Sequence, residues 1–354
     1  MRVINAYRNY LRDSKERLYR TKDYYKRIPP KHKELLKLNG FGDNLEKVEK
    51  CLEINGGVIS EFVDGVEKMF ENQSPHQITD KDKEKDCALE KTALMDMEKV
   101  QSTLKQFVRD WSGEGQKERD QCYKPILDEI ENIFGHLNSS QKSSTNILVP
   151  GAGLGRLAFE IALRGYVCQG NEFSLFMLIA SNFVLNRAKG PNSCTIYPWV
   201  HQYTNNLAGE NQTRPVTFPD IDPLTMPKDA NFSMVAGDFL EVYAEDKYEF
   251  SQDCVITCFF IDCAHNVIEF IELIHRILKK GGKWINFGPL LYHFSDVPRE
   301  SSIEPSYDIV RKISEQIGFE FLREEIDVQA TYCQNPTSML QYNYKCVSFT
   351  CVKK

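Results

Sequence analysis

Apolar residues recur every three or four positions in the N-terminal part of the chain, which is the spacing of a helix that buries one face. Two stretches show this spacing, and a third is expected over residues 123–137. The pattern predicts a mostly helical region over residues 1–144, with a surface loop at 72–86, where the sequence is polar and interrupted by proline. The residues that carry the first two helices are Ile54, Val58, Phe62, Val63, Val66 and Phe70, then Leu104, Phe107, Val108 and Trp111.

From residue 145 onward, short apolar runs alternate with amphipathic stretches, as in a parallel sheet covered by helices. This alternation predicts an α/β domain over residues 145–354. It is interrupted at about residues 188–230, where proline, asparagine and charged residues dominate. We expect an insertion there, and an insertion of that length is often a lid or a binding loop. The expected strands are 147–149, 166–171, 232–236, 254–260, 283–287, 319–328 and 345–352, and the expected helices are 154–164, 175–186, 267–278 and 307–317.

Composition and charge narrow the class of protein. The 21 Phe, 16 Tyr and 3 Trp residues can fill a large core, and a net charge of −6 gives no general attraction for nucleic acid. Basic residues gather near the N-terminus, but acids and tyrosines interrupt them, which favours a solvated helical face over a nucleic-acid patch. A nucleic-acid partner is disfavoured for the same reason. The basic residues are Arg8, Arg12, Lys15, Arg17, Arg20, Lys22, Lys26 and Arg27.

The cysteines and the apolar runs point to a reducing compartment. Eleven cysteines are present without a CxxC pair. Cys254, Cys258 and Cys263 lie on or just past an expected strand without the short paired spacing of zinc ligands, so no metal site is predicted. The chain shows no secretory signal and no apolar run that approaches 18 residues, which predicts a location in the cytoplasm or nucleus.

A glycine-rich turn follows the first expected strand, with glycine at positions 151, 153 and 155. The second expected strand ends at Glu172, about 20 residues beyond the first glycine, where a carboxylate can reach the hydroxyls of a bound ribose. A dinucleotide site would read G-x-G-x-x-G, whereas this chain reads G-x-G-x-G-R. The tighter spacing resembles the first motif of class I methyltransferases that use S-adenosylmethionine, although such a turn can also be purely structural.

Other polar residues stand where expected strands end, which is where ligands bind in an open α/β sheet. Asp238 suits the amino group of adenine, and Phe239 either covers the adenine ring or belongs to the core. Asp262 ends a buried strand and is expected to face the substrate. His293 can exchange a proton near neutral pH, whereas His265 is expected only to begin a helix.

Gln106 and Arg109 share the face of a predicted helix opposite its apolar residues. Such a face usually meets solvent. The alternative is that this helix covers the cofactor and that Arg109 binds its carboxylate through a bidentate contact.

Six segments occur in an order that resembles the carnosine N-methyltransferase family, and the likeness runs from about residue 95 to the C-terminus and into the N-terminal helices. The resemblance implies a Rossmann-like class I methyltransferase sheet of seven strands, the last one antiparallel, beside a helical N-terminal region that covers the cofactor. The segments are the glycine turn, NEFS (171–174), GDF (237–239), FFIDCAHN (259–266), GGKWINFGPLLYHF (281–294) and LKQFVRDWS (104–112).

The resemblance also implies an activity, the transfer of a methyl group from S-adenosylmethionine to an imidazole nitrogen of carnosine, which yields anserine and S-adenosylhomocysteine. Asp262 and His293 would be catalytic. By the same resemblance the cofactor would be held by Gln106, Arg109, Gly151, Gly153, Glu172, Asp238 and Phe239, and the dipeptide by Asp262, His293, Tyr342 and Tyr344. Without it, the two tyrosines would be ordinary aromatic residues near a strand end.

Two other functions stay open at this point: methylation of histidine in other peptides or proteins, and a cofactor-binding scaffold without activity. The choice of imidazole nitrogen and of proton acceptor between Asp262 and His293 also stays open. The large apolar content of the helical region favours a homodimer.

Overall fold

The computed structural model describes residues 2–66 and 94–354. The loop expected at 72–86 and the last residue of the first helical pattern, Phe70, lie outside these described residues. Within them the chain divides into two compact units. The first takes the chain up to Glu114 together with Ile179–Pro223 and Cys333–Gln341, and the second takes Gly115–Leu178, Leu224–Tyr332 and Tyr342–Lys354.

The first unit is mainly helical, as the apolar spacing predicts. It also contains a two-stranded antiparallel sheet. The helix Leu175–Asn186, α8, starts in the second unit and continues into the first. None of the helices in the described part of the chain is both long and apolar enough to cross a bilayer. The elements are α1 (Arg2–Arg27), α2 (Pro30–Leu38), α3 (Phe41–Val63), α4 (Leu94–Trp111), α8 (Leu175–Asn186), β3 (Cys194–Ile196), α9 (Gly209–Gln212) and β4 (Val216–Phe218).

Four phenylalanine rings join these elements in the core of the first unit. The ring centroids of Phe62 and Phe107 lie 5.0 Å apart, and those of Phe107 and Phe218 lie 4.4 Å apart. Phe183 of α8 adds a contact of 4.9 Å with Phe62. Since β4 contributes Phe218, most of the segment predicted as an insertion at 188–230 folds with the N-terminal helices, through a shared aromatic core.

The second unit is built on a seven-stranded sheet in the order β5-β2-β1-β6-β7-β9-β8. All neighbours are parallel except β9, which runs antiparallel to both β7 and β8. The predicted class I sheet with an antiparallel last strand is confirmed. The strands are β1 (Asn146–Pro150), β2 (Val167–Glu172), β5 (Phe232–Ala236), β6 (Gln252–Cys258), β7 (Leu278–Gly288), β8 (Phe319–Ala330) and β9 (Tyr344–Lys353).

Helices cover both faces of this sheet, which explains why the central strands are apolar along their length. On β6, Cys254 and Ile256 belong to the cluster on one face, while Val255 belongs to the cluster on the other. The helices are α5 (Gln116–Phe134), α6 (Ser139–Lys142), α7 (Arg156–Ala162), α10 (Phe239–Tyr243), α11 (Val267–Ile277) and α12 (Tyr307–Ile317).

Helix α5 belongs to a different unit from the one expected, since the sequence predicts a boundary between residues 144 and 145. Cys122, Ile126 and Ile130 of this helix lie in one apolar cluster with Ile147 of β1. The compact unit that contains the sheet therefore begins at Gly115. Helical periodicity predicted a helix over residues 123–137, which overlaps α5 but begins seven residues later. Periodicity alone does not say against which partner an apolar face packs.

Truncation of a buried side chain on the central strand tests the contribution of the core to stability. Ile256 is fully buried, so we expect Ile256→Ala to lower the free energy of unfolding by about 2–5 kcal/mol. Ile326→Ala is the matched control because Ile326 lies on β8 of the same sheet and is 66% exposed, and its cost is expected to stay below about 1 kcal/mol. Urea unfolding followed by circular dichroism measures both, and equal midpoints would contradict the prediction.

Candidate cofactor and substrate site

The glycine turn joins β1 to α7 through three residues in the left-handed region. Gly151, Gly153 and Gly155 have φ angles of +67°, +56° and +81°. A Cβ atom on Gly151 would lie 2.3 Å from the ring of Phe260, so this position also has no room for a side chain. The turn thus needs glycine for its backbone and its packing, and it presents backbone N–H groups at the carboxyl edge of the sheet.

Glu172, the last residue of β2, connects the loops around this turn. Its carboxylate accepts hydrogen bonds from the N–H groups of Gly153 at 2.8 Å and Ser174 at 2.7 Å. Its carbonyl oxygen accepts a third from the N–H of Gly237, just after β5, at 3.0 Å. Burial raises the pKa of Glu172, while these N–H groups oppose the shift. Each carboxylate oxygen keeps a second lone pair for a ligand hydroxyl.

Asp238 and Phe239 follow β5 at the same edge. The Oδ1 atom of Asp238 accepts from the N–H groups of Leu240 and Glu241, which makes Asp238 the N-cap of α10. The ring of Phe239 is buried among Phe260 and Phe270, with centroid distances of 5.7 and 5.3 Å. Of the two roles considered for the Phe239 ring, the structure describes the core role. Its part in cofactor binding stays a prediction.

The turn, the Glu172 acceptor and the Asp238 acceptor together fit an adenosine-containing cofactor. They supply a close backbone approach, acceptors for ribose hydroxyls and an acceptor for an amino group. All three lie at the carboxyl ends of β1, β2 and β5, which are adjacent strands of the sheet.

Asp262 lies in the turn that follows β6 and is 1% exposed. Its Oδ2 atom accepts the N–H of Leu291 at 2.7 Å, and its carbonyl oxygen accepts the N–H of His293 at 3.1 Å. The Oδ1 atom has no hydrogen-bond partner among the described residues. Burial raises the pKa of Asp262, and the Leu291 N–H and the charge of His293 partly offset this. A buried carboxylate oxygen without a partner is costly, which indicates a place for a ligand donor.

His293 projects beside Asp262 from the loop after β7. Its Nδ1 atom lies 3.1 Å from the Sγ atom of Cys263. Ligand atoms of Asp262, Cys263 and His293 all lie within 4.8 Å of one another. Sequence reasoning missed Cys263 as a member of this cluster, although its position directly after Asp262 was a usable signal. Burial raises the pKa of the Cys263 thiol, and the charge of Asp262 adds to the effect.

The two C-terminal tyrosines differ in their surroundings. Tyr344 begins β9, and its ring centroid lies 6.1 Å from that of Phe259, three residues before Asp262. Tyr342 is 63% exposed. The structure thus brings Tyr344 towards the segment that holds Asp262, and the substrate role of both tyrosines stays a prediction.

His265 takes no part in the Asp262 cluster. Its ring stacks on Phe294 with a centroid distance of 3.7 Å, and its Nδ1 atom contacts the carbonyl oxygen of Ser301 at 2.8 Å. Asn266, the next residue, is the N-cap of α11. The prediction that His265 lies at a helix entry is confirmed.

Gln106 and Arg109 lie on α4 in the first unit. The expectation that their face meets solvent is wrong for Arg109, which is 4% exposed and pairs with Asp110 at 2.9 Å. The reason is that α4 is buried on more than its apolar face, since Thr103 and Asp110 are also buried. The cofactor role of Gln106 and Arg109 stays a prediction from the family resemblance.

The strand order, the glycine turn and the acidic residues at the strand ends define the class of the protein. It is a class I methyltransferase that uses S-adenosylmethionine. A family model described as carnosine N-methyltransferase matches residues 88–354. The chain belongs to the carnosine N-methyltransferase family.

Curated relatives agree with this assignment. The chain is 47% identical to the carnosine N-methyltransferase of Rattus norvegicus over 348 residues, which cover 98% of this chain and 84% of the rat protein. It is 44% identical to the carnosine N-methyltransferase unmet of Drosophila melanogaster, over 99% of this chain and 79% of that protein. The corresponding enzyme of Schizosaccharomyces pombe is 37% identical over 90% of this chain and 86% of that protein.

Glu172→Gln tests the cofactor site. The substitution keeps the shape of the side chain but replaces one acceptor oxygen with an NH2 group, which would face the N–H of Gly153 or Ser174. We expect the Kd for S-adenosylmethionine to rise at least about tenfold, roughly 1.4 kcal/mol. Isothermal titration calorimetry measures the change. Glu241→Gln is the control because Glu241 is exposed in the first turn of α10, and equal Kd values in the two variants would contradict the assignment.

Proposed function

We propose that this protein transfers a methyl group from S-adenosylmethionine to an imidazole nitrogen of carnosine (β-alanyl-histidine), with anserine as the product. The observation that carries the proposal is the buried Asp262 carboxylate, whose Oδ1 atom has no partner among the described residues, beside His293 at the carboxyl edge of the sheet. Membership of the carnosine N-methyltransferase family supports the choice of acceptor.

The chain's own residues have a limited task in this reaction. The cofactor supplies an activated methyl group when it is bound, and a neutral imidazole is already a nucleophile. The site must therefore align the acceptor, exclude water and control which nitrogen is presented. The edge formed by the loops after β6 and β7 is suited to this, because the Asp262–Leu291 and Asp262–His293 hydrogen bonds hold the two loops together.

Asp262 is placed to select the tautomer of the acceptor. Its Oδ1 atom can accept the N–H of the non-reacting imidazole nitrogen, which leaves the other nitrogen with a free lone pair. As that nitrogen gains positive charge, the carboxylate stabilises the developing imidazolium more strongly than it would in water, because the site is buried. Asp262 or His293 then receives the proton.

Other residues complete the proposed site. Gln106 and Arg109 would bind the cofactor, with the guanidinium of Arg109 on its carboxylate, and Tyr342 and Tyr344 would contact the dipeptide.

We also propose that the protein is a homodimer of the cytoplasm and nucleus. Ten cysteines of the described residues are free thiols, which is consistent with a reducing compartment. Sedimentation at micromolar concentration tests the dimer, and a monomer there would refute it.

Three substitutions test the acceptor site. We expect Asp262→Asn and His293→Ala each to lower kcat for carnosine by about 10²-fold or more, because each removes a group that accepts or shares the imidazole proton. His265→Ala is the matched control, since this nearby histidine stacks on Phe294 outside the cluster. Methylated carnosine is quantified by mass spectrometry. Unchanged turnover in both Asp262→Asn and His293→Ala would refute the proposed roles.

The asparagine variant also separates activity from folding. The raised pKa of Asp262 means that burial disfavours its charged form, so removal of the charge should leave the melting temperature equal or higher near neutral pH. The amide oxygen of asparagine can still accept the Leu291 N–H. Parallel assays with histidine-containing peptides test the wider substrate class, and methylation of peptides without methylation of carnosine would replace the proposed acceptor.

A further inference from the structure

One cluster of side chains offers three different metal-binding groups at one point. Asp262 supplies a carboxylate oxygen, Cys263 a thiol sulfur and His293 an imidazole nitrogen, and these atoms lie within 4.8 Å of one another. The three residues come from the turn after β6 and the loop after β7. The hydrogen bond from the His293 N–H to the Asp262 carbonyl oxygen joins these two segments. The methyl-transfer chemistry proposed above uses Asp262 and His293 and leaves Cys263 without a role.

We propose that Asp262, Cys263 and His293 form a binding site for a divalent zinc ion, and that the bound ion prevents the imidazole acceptor from entering. The second part rests on the proposed function, because it assumes that the acceptor uses Asp262 and His293. The first part does not depend on which molecule is methylated.

The distance between the sulfur of Cys263 and the nitrogen of His293 is close to the separation of two ligand atoms in a zinc site. Zinc binds sulfur at about 2.3 Å and imidazole nitrogen at about 2.0–2.1 Å, so a tetrahedral site separates these two ligand atoms by about 3.5 Å. The Nδ1 atom of His293 and the Sγ atom of Cys263 already lie 3.1 Å apart. Three protein ligands leave a fourth position for water, as in zinc sites that are not purely structural.

The buried oxygen of Asp262 is an independent indication of a ligand. Asp262 is 1% exposed, and its Oδ1 atom has no hydrogen-bond partner among the described residues. The Leu291 N–H holds the other oxygen at 2.7 Å and so fixes the orientation of the carboxylate. Such a second contact is typical of carboxylates that bind a metal.

The mixture of donors selects the kind of cation. Magnesium and calcium require several oxygen ligands, and this cluster offers one carboxylate. A thiolate and an imidazole favour zinc instead. Zinc binds the thiolate form of cysteine, so binding at Cys263 releases the thiol proton to solvent, with no change of oxidation state.

The binding experiment is made without cofactor and without an imidazole acceptor, so that its result is independent of the proposed reaction. Metal-free protein is titrated with zinc chloride by calorimetry, and with cobalt(II) to record the thiolate-to-metal absorption band. We expect one ion per chain, and we expect Cys263→Ala to weaken zinc binding by more than about 100-fold and to abolish the band, since even loss of an outer contact costs about 10–100-fold. Cys194→Ala, at another half-buried cysteine, is the control and should bind as the unaltered protein does.

The activity experiment tests the consequence of binding. Methyl transfer is measured at free zinc concentrations fixed by a metal buffer, so that chelation by the acceptor does not change them. We expect zinc to inhibit the unaltered protein and the Cys194→Ala variant, and Cys263→Ala to keep its activity at zinc concentrations that inhibit both.

The outcomes are distinguishable. Equal zinc binding by the unaltered protein and Cys263→Ala overturns the site. Binding that depends on Cys263 but leaves methyl transfer unchanged, or a metal chelator that abolishes transfer, overturns the blocking role. If zinc binds as expected and no imidazole acceptor is methylated, the proposed function fails while the zinc site stands.

Discussion

The carboxylate of Glu172 is the interaction on which the cofactor half of the site depends. It joins the glycine turn after β1 to the segment after β2, through the N–H groups of Gly153 and Ser174. The backbone of the same residue reaches Gly237 after β5. These contacts are possible because parallel strands bring their carboxyl ends to one edge, where unpaired backbone N–H groups need acceptors. A ligand thus meets loops that are already held together.

Asp262 plays the corresponding part in the turn after β6, the central strand of the sheet. It ties the loop after β7 to the turn after β6 through Leu291 and His293. The difference is that the Oδ1 atom of Asp262 has no hydrogen-bond partner in the described part of the chain, whereas both carboxylate oxygens of Glu172 have backbone partners. A fully buried carboxylate with spare accepting capacity is a cost to folding, and proteins tend to carry such costs where they bind or transform a ligand. That contrast separates the scaffold role of Glu172 from the chemical role proposed for Asp262.

Cys263 is the residue that would add zinc binding to the proposed acceptor site. Its sulfur adds a soft donor to a carboxylate and an imidazole, without being needed for either hydrogen bond that shapes the loops. The same geometry that presents an imidazole acceptor is then also suited to a zinc ion. Which ligand occupies such a site depends on the affinities and concentrations of the imidazole acceptor and the zinc ion.

The sequence by itself determined the local elements and the chemistry at strand ends. The apolar run of β6 and the acids Glu172, Asp238 and Asp262 were all readable, because strand periodicity and the position of ligands in α/β sheets are local rules. Tertiary structure decided the rest. Partners that are distant in the chain placed α5 on the sheet, buried Arg109 and Phe239, and brought Cys263 to His293, 30 residues away. Packing and burial are set by such long-range neighbours, which the spacing of residues along the chain does not encode.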